Sequence, residues 1–382
     1  MPRIVIGADI VPTKSNQDLF IQGDVETLIG DELIELFGAA DYRILNLECP
    51  LADIETPIKK AGMNLIASTR SINGLQQINP DFFCLANNHI FDQGEPGLKS
   101  TINCLKQHGV DFAGAGMSID EASRCFIKTI KGFTIGIYCC TENEFSVAKR
   151  DEGGANPYDP LFSFDHVCEL KKRCDYCIVL YHGGKEFYRY PTPMMQRVFR
   201  KFSDAGADVV IAQHTHCIGC IEQYNDSTLI YGQGNFLFDD SDRAEEQFSV
   251  VICIDTDNDG ERVTYIPIVR EKNLVRKAGD DAGREIISEM MERSKEIKND
   301  EFVKSQYVDL VNSEASRYLA ILSGGFRRMP AFRLLNKISG HRLIHQFYKG
   351  HDIYAVDDII KCETHREIVL KLCEMIESEV GR

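Results

Sequence analysis

The stretch Gly206-Ala-Asp-Val-Val-Ile-Ala-Gln-His214-Thr-His216 passes from a short apolar run directly into two histidines. A short run of this kind, rich in valine and isoleucine, is typical of a strand buried in a parallel sheet. In open α/β sheets, ligands bind at the carboxyl ends of such strands. His214 and His216 are therefore predicted to lie at the functional edge of a sheet.

Four further apolar runs also end in a side chain that can bind a metal ion. Residues 3–8 lead into Asp9, residues 42–47 into Glu48, residues 81–87 into Asn88 and His89, and residues 177–181 into His182. Helix-like segments separate these runs, and the alternation predicts an α/β fold whose strand ends converge. The sequence thus predicts a binuclear metal site. Its predicted ligands are Asp9, Glu48, Asn88, His182, His214 and His216.

These residue types suit two divalent ions of manganese, iron or zinc, because carboxylates are hard oxygen ligands and imidazoles bind transition metals. A carboxylate can bridge two ions, and the ions lower the pKa of a bound water, as in phosphatases and nucleases. His89 is then predicted to protonate the leaving oxygen, and Asp92, one helical turn later, to orient its second nitrogen. Taken singly, however, a histidine or aspartate at a strand end is more often a cap or a buried hydrogen-bonding group than a ligand.

Composition narrows the classes of partner and the domain organisation. The 382 residues carry a formal net charge of −15, which argues against a general nucleic-acid-binding protein because phosphate contacts need a basic surface. The β pattern ends near residue 277, and residues 282–298, 300–322, 330–338 and 356–380 are helical in pattern. We therefore expect a catalytic domain at 1–275 and a helical C-terminal region at 276–382.

The fourteen cysteines are interpreted as reduced. The first residues run into the first strand without a signal-peptide pattern, and no apolar stretch is long enough for a transmembrane segment. A cytoplasmic location is therefore expected. The pairs Cys174/Cys177 and Cys217/Cys220 have the spacing of a zinc ribbon. Chance spacing is favoured over that alternative, because Cys177 opens a buried strand and Cys217 directly follows the histidine cluster.

At these residues the sequence resembles the CapA family, which is named for poly-γ-glutamate capsule synthesis proteins and belongs to the calcineurin-like metallophosphoesterase superfamily. The resemblance covers roughly residues 1–270 and is carried by Gly7-Ala-Asp9, Asn46-Leu-Glu48-Cys-Pro50 and residues 86–94, 182–186, 191–193, 206–216 and 231–239. It implies a four-layer α/β/β/α sandwich with the metals between the sheet edges. Residues 276–382 would form a helical appendage outside the resemblance.

The resemblance also implies how the ligands divide between the two ions. One ion would be held by Asp9, Glu48 and His216, and the other by Glu48, Asn88, His182 and His214. The superfamily's first motif is Asp-x-His, whereas this chain has Val11 at the histidine position. The resemblance therefore implies that the first ion lacks one ligand.

Two groups of residues near the predicted ligands are candidates for supporting roles. Lys185, Glu186 and Tyr188 follow His182 and are predicted either to contact substrate or to form a solvated loop. Asn235 follows a glycine-rich turn, residues 232–234, and is predicted to support the metal-binding loop.

The expected function is hydrolysis of a phosphoester in cell-surface polymer metabolism, on a phosphoester substrate or an anionic polymer. One alternative is a non-catalytic capsule or polymer assembly component that binds the polymer or capsule and cell-surface synthesis enzymes. Its docking element would be the basic stretch at residues 327–349. A second alternative is hydrolysis of an amide such as a γ-glutamyl bond, because a metal-activated water also attacks carbonyl groups.

Overall fold

The computed structural model describes residues 2–239, 241–257, 260–322 and 329–346, together with residues 353, 356, 360 and 369. The chain divides into two compact units, Met1–Lys304 and Ser305–Arg382. All predicted site residues and all described strands belong to the first unit.

The strands of the first unit form two large sheets and one short pair. In chain order they are β1 (Arg3–Ile10), β2 (Tyr42–Leu47), β3 (Phe82–Cys84), β4 (Asp111–Ala113), β5 (Ala115–Gly116), β6 (Phe126–Ile130), β7 (Phe133–Thr141), β8 (Gly154–Ala155), β9 (Tyr176–His182), β10 (Val209–Gln213), β11 (Ile221–Tyr224), β12 (Ser227–Ile230), β13 (Asn235–Leu237), β14 (Phe248–Asp257), β15 (Gly260–Glu271) and β16 (Leu274–Lys277).

The helices surround these sheets or follow them in the chain. They are α1 (Gln17–Gln22), α2 (Val25–Ile29), α3 (Asp31–Gly38), α4 (Ile72–Ile78), α5 (Gly94–Gln107), α6 (Ile119–Ala122), α7 (Ser163–Lys171), α8 (Pro193–Asp204), α9 (Asp280–Glu296), α10 (Asp300–Leu322), α11 (Pro330–Ile338) and α12 (Arg342–Gln346). α2 and α3 are separate helices because Gly30 adopts a positive φ of 74° between them.

Each sheet contains a run of parallel strands. The first has the order β16-β15-β14-β1-β2-β3-β4, with β13 also paired to β1, and the second has the order β11-β12-β10-β9-β7-β6. β1 to β4 are mutually parallel, and so are β7, β9, β10 and β12 along the second sheet. The predicted runs that end in metal-binding side chains therefore precede the site as parallel strands, as their continuous apolar character indicated.

The packing of alternate side chains makes four layers. Ile4 and Ile44 of the first sheet share one buried cluster with Ile178 and Ile211 of the second, so the two sheets pack face to face. Their chain neighbours point the other way, as successive residues of a strand do. Val5 belongs instead to the cluster formed with helices α1 to α5.

The outer face of the second sheet is covered in the same manner. Val179 and Val210 lie in a cluster with Val167 of α7 and Phe199 of α8. The layers thus run helix, sheet, sheet, helix, which confirms the predicted four-layer α/β/β/α sandwich.

The compact units divide later than the predicted boundary at 275/276. Met290 of α9 is buried with Ile218 and Val250, and Ser294 Oγ accepts a hydrogen bond of 2.8 Å from the amide of Ile221. α9 is therefore part of the first unit rather than of a separate helical region.

The C-terminal region is helical where it is described. α10 and α11 have the bounds predicted from their periodicity, whereas the helix predicted at 356–380 lies almost wholly outside the described residues. Among the described helices, none combines the length and the apolar character that crossing a membrane requires.

Candidate metal centre

The six predicted ligands come together where the parallel strands of both sheets end. Asp9 lies near the end of β1, Glu48 directly follows β2, and Asn88 lies in the loop after β3. From the second sheet, His182 is the last residue of β9, and His214 and His216 follow β10. The site therefore draws half of its candidate ligands from each sheet.

Glu48 occupies the centre of this arrangement. Its carboxylate belongs to two groups of potential ligands, one with His214 and His216 and the other with Asp9 and His182. In each group the ligand atoms lie within 4.8 Å of one another. A carboxylate shared in this way is suited to bridge two ions.

Several buried polar atoms of the centre have no partner within the described chain. Glu48 is 0% exposed, and neither of its carboxylate oxygens makes a hydrogen bond, although Oε1 lies 3.3 Å from Nε2 of His182. Nδ1 of the buried His214 is also unpaired. Because burying such atoms without partners is costly, their donor chemistry fits a cationic occupant.

The electrostatics of the centre favour the same occupant. Burial, together with the charge of Glu48, raises the pKa of Asp9 to about 6. Burial also favours the protonated form of Glu48, but the imidazoles of His182 and His216 outweigh it and hold the pKa of Glu48 below its usual value. Burial lowers the pKa of His214 well below its usual value, which keeps this imidazole in the neutral form that binds metals.

The ligands are held by a network of asparagines that the sequence analysis missed. Asn46 Nδ2 donates a 2.7 Å hydrogen bond to Asp9 Oδ1 and lies 3.2 Å from Nδ1 of His182. Asn87 Nδ2 donates in turn to Asn46 Oδ1 at 3.1 Å. Asn87 directly precedes Asn88 and Asn46 lies two residues before Glu48, and this nearness to predicted ligands is a sequence signal that could have identified them.

The histidine loop after β10 has an unusual backbone. His214 and His216 have φ values of 83° and 54°, in the left-handed region that non-glycine residues rarely occupy. The amide of His214 donates to Asp9 Oδ2 at 3.0 Å, and Asn235 Oδ1 lies 2.7 Å from Nδ1 of His216. Gly232 lies against this loop: a Cβ at this position would lie 2.8 Å from Thr215 Oγ1, which explains the glycine.

The predicted acid pair is assembled beside the ligands. His89 Nδ1 lies 2.6 Å from Oδ2 of the fully buried Asp92. Lys60, which the sequence analysis missed, forms an ion pair with Asp92 through a side chain that is 4% exposed, and its Nζ lies 3.3 Å from His89 Nδ1. The amide of Leu65 donates to Asp92 as well, at 2.6 Å. Lys60 and the amide of Leu65 therefore fix Asp92 while it holds the ring of His89.

The division of ligands implied by the resemblance concerns Asp9 above all. An oxygen of Asp9 lies 3.9 Å from Nδ1 of His216, and its other oxygen lies 4.0 Å from Nδ1 of His182, so Asp9 is close to both imidazoles. Asn88 Oδ1 lies 3.0 Å from Nε2 of His182, which is hydrogen-bonding distance. Val11, at the position of the absent histidine, is buried and can supply no side-chain ligand. Which residues hold which ion stays a prediction.

The loop after β9 brings only some of its predicted substrate residues to the centre. Burial lowers the pKa of His216, but the charges of Glu48 and Asp9 outweigh it and raise the pKa. The charge of Glu186 adds to this effect. Tyr188 instead packs against Tyr190, with ring centroids 6.0 Å apart. Lys185 is half-buried and has no carboxylate partner among the described residues. Phe187, which was not predicted, lies 5.9 Å from the ring of His216.

The strand ends and ligand cluster lie in the segment that matches known proteins. Residues 4–240 match a protein family that is described as "Bacterial capsule synthesis protein PGA_cap". The chain is 32% identical to the PGA biosynthesis protein CapA of Bacillus subtilis over 209 residues, which are 53% of this chain and 55% of that protein. It is 26% identical to the capsule biosynthesis protein CapA of Bacillus anthracis over 52% of this chain and 51% of that protein.

The chain therefore spans about half the length of these curated relatives. Among solved structures, a phosphatase from Mycoplasma pneumoniae is similar over 71% of this chain and 94% of that one, with a TM-score of 0.47 and 15% identity. The family match covers more than half of the sequence and includes all six candidate ligands. On that ground the chain belongs to the family of bacterial capsule synthesis proteins described as PGA_cap.

Proposed function

We propose that this chain is a metal-dependent hydrolase that cleaves a phosphoester. Its two divalent ions, of manganese, iron or zinc, would be held by the cluster around Glu48. The proposed ligands are Asp9, Glu48, Asn88, His182, His214 and His216.

One observation carries the proposal. Glu48 is fully buried, belongs to both groups of ligand atoms, and leaves its two carboxylate oxygens without hydrogen bonds in the described chain. A structural carboxylate in a protein core would accept hydrogen bonds, whereas a bridging carboxylate needs its oxygens free for cations.

The remaining roles belong to side chains next to the ligands. When bound, the ions would polarise the scissile group and supply a water of lowered pKa. His89 would donate a proton to the leaving oxygen, and Asp92 would keep its ring in place through the contact at Nδ1. Asn46 would hold Asp9 in its ligand orientation, and Asn235 would do the same for His216.

The proposed substrate class rests on the family to which the chain belongs. Relatives carry the names PGA biosynthesis protein and capsule biosynthesis protein, so we propose an anionic cell-surface polymer or a phosphoester precursor of one. Capsule or cell-surface synthesis enzymes are the proposed partners. A cytoplasmic location is proposed with them.

Metal analysis tests the proposal first. Protein reconstituted with manganese, iron or zinc should hold two equivalents by mass spectrometry, and His214→Ala should lose metal. His108→Ala serves as a matched control, because His108 caps α5 through a 2.8 Å contact with the carbonyl of Cys104, away from the cluster. The reconstituted protein should then hydrolyse model phosphoesters. Absence of metal under every condition would refute the proposal.

A non-catalytic assembly role is the second candidate, and the relatives' biosynthetic names favour it. Of the basic stretch at 327–349, Arg333, Lys337 and Arg342 lie exposed on α11 and α12, whereas Arg327, Arg328 and Lys349 lie outside the described residues. Under this candidate, changing the three described residues to glutamine abolishes binding to poly-γ-glutamate, and no hydrolysis is found. Cleavage of γ-glutamyl amides but not phosphoesters would instead identify the amide hydrolase.

A further inference from the structure

An exposed arginine is stacked beside the metal centre. Cζ of Arg243 lies 4.1 Å from the centroid of the Phe187 ring, and that centroid lies 5.9 Å from the ring of His216. The guanidinium group of Arg243 therefore lies in the neighbourhood of the His216 ring. A ring that faces a cation stabilises it without consuming its N–H donors.

The backbone places the Phe187 ring in this position. Phe187 has a φ of 62°, a conformation that is costly for a bulky side chain. Its amide donates a 2.8 Å hydrogen bond to the carbonyl of Thr215, between the two histidines of the metal-binding loop. Because such strain persists only where the surroundings impose it, the ring is anchored to the loop that carries His214 and His216.

Arg243 differs from the other stacked arginines of the described chain. Arg200 and Arg317 also lie over tyrosine rings, but each is paired with a carboxylate, Glu222 at 2.8 Å and Glu314 at 2.9 Å. Arg243 has no carboxylate within 4.0 Å among the described residues.

Two of the acidic residues in the same segment are engaged elsewhere. Glu246 accepts a hydrogen bond from Ser241, and Asp239 accepts one of 2.5 Å from Ser15. The guanidinium of Arg243 thus keeps donors that no described carboxylate uses, beside the loop that carries His216.

We propose that Arg243, seated on Phe187, forms a subsite for a second anionic group of the substrate, a carboxylate or a phosphoryl group adjoining the group bound at the metals. This inference rests on the proposed function, because the metal centre is taken to hold the first oxyanion. It narrows the substrate class to molecules with two anionic groups, since planar guanidinium donors match both carboxylate and phosphate oxygens.

Binding of phosphonates, which are not hydrolysed, tests the subsite without turnover. Metal-loaded protein is titrated calorimetrically with propylphosphonate, 3-phosphonopropionate and 1,3-propanediphosphonate, and with the corresponding set one carbon longer. The doubly anionic compounds should bind about 5- to 10-fold more tightly than the matched alkylphosphonate, as expected for one charge-assisted contact at a partly exposed site. Tighter binding of the phosphonocarboxylate would identify the second anionic group as a carboxylate, and tighter binding of the diphosphonate would identify it as a phosphoryl group.

Variants connect that preference to Arg243. Arg243→Ala should remove the 5- to 10-fold difference and leave alkylphosphonate binding and metal content unchanged, while Arg243→Lys keeps part of it. Arg317→Ala, a stacked arginine in the other unit, should behave as wild type. Equal binding of both classes by the wild type, or a preference that survives Arg243→Ala, overturns the inference. Failure of every phosphonate to bind the metal-loaded protein overturns the proposed function as well.

Discussion

Nε2 of His182 lies 3.3 Å from Oε1 of Glu48, although His182 ends β9 of the second sheet and Glu48 directly follows β2 of the first. Glu48 is the member common to both groups of ligand atoms, whereas His182 belongs to one of them. At this contact, the carboxylate that is shared by both ligand groups comes from the first sheet, and the imidazole beside it comes from the second sheet.

Replacing the shared carboxylate should affect both ions. Glu48→Gln preserves the shape of the side chain but removes the negative charge, so we expect loss of both equivalents of metal by mass spectrometry. His216→Ala affects one group only and should leave about one equivalent, as a two-metal site with a shared carboxylate requires. Two equivalents in Glu48→Gln would show that Glu48 is not the bridge.

Removing the proposed acid should separate chemistry from metal binding. His89→Ala should lower kcat about 10²- to 10⁴-fold, the usual range for a lost acid or base group, and should keep its metal. The control is Asp92→Asn, which leaves the imidazole present but alters its orientation and should have a smaller effect on kcat. Turnover of His89→Ala at the wild-type rate would exclude the assigned role.

The buried ion pair of Lys60 and Asp92 should matter for stability. Lys60→Met leaves a buried carboxylate without its cation and should cost about 3 kcal/mol in the free energy of unfolding, measured with urea. Asp92→Asn in the same chain should recover part of that loss. Lys149→Met, which breaks an exposed pair with Glu152, should cost less than about 1 kcal/mol. Equal costs for the two lysines would contradict the structural assignment.

The raised pKa of Asp9 predicts a pH dependence for metal-free protein. Because the folded state holds its proton more tightly than the unfolded state, Asp9 contributes stability below pH 4 that is lost as pH rises to about 6. The loss should amount to about 1–3 kcal/mol. The Tm of wild-type protein prepared with a chelator should fall over this pH window relative to the Tm of Asp9→Asn. Adding a divalent metal at pH 7 should then raise the Tm of the wild type more than that of the variant. Parallel curves would contradict the burial of a charged Asp9.

The strands and most of the candidate ligands could be predicted from the sequence because their signals are local. A buried parallel strand is a continuous apolar run, and its end is marked by the first polar side chain, as at His182 after β9 and His214 after β10. The bounds of α10 and α11 were similarly predicted, because the signals for a helix lie within the helix itself, as in the amphipathic pattern of α11.

Contacts between distant segments had no such signal. Lys60 reaches Asp92 from an irregular segment that no periodicity describes, and Arg243 lies on Phe187 only because their two loops meet beside His216. The position of α9 in the first unit also depends on its packing against β11 rather than on its helical pattern.

By itself, the sequence determined the α/β class, the strand ends and the kinds of ligand available, because each depends on neighbouring residues. Only the tertiary structure decided that Glu48 is shared by two groups, that Asn46 and Asn87 hold the ligands, and that Arg243 lies on Phe187 beside His216. The physical reason is that these relationships depend on how two sheets pack and which loops meet, and both depend on contacts far apart in the chain.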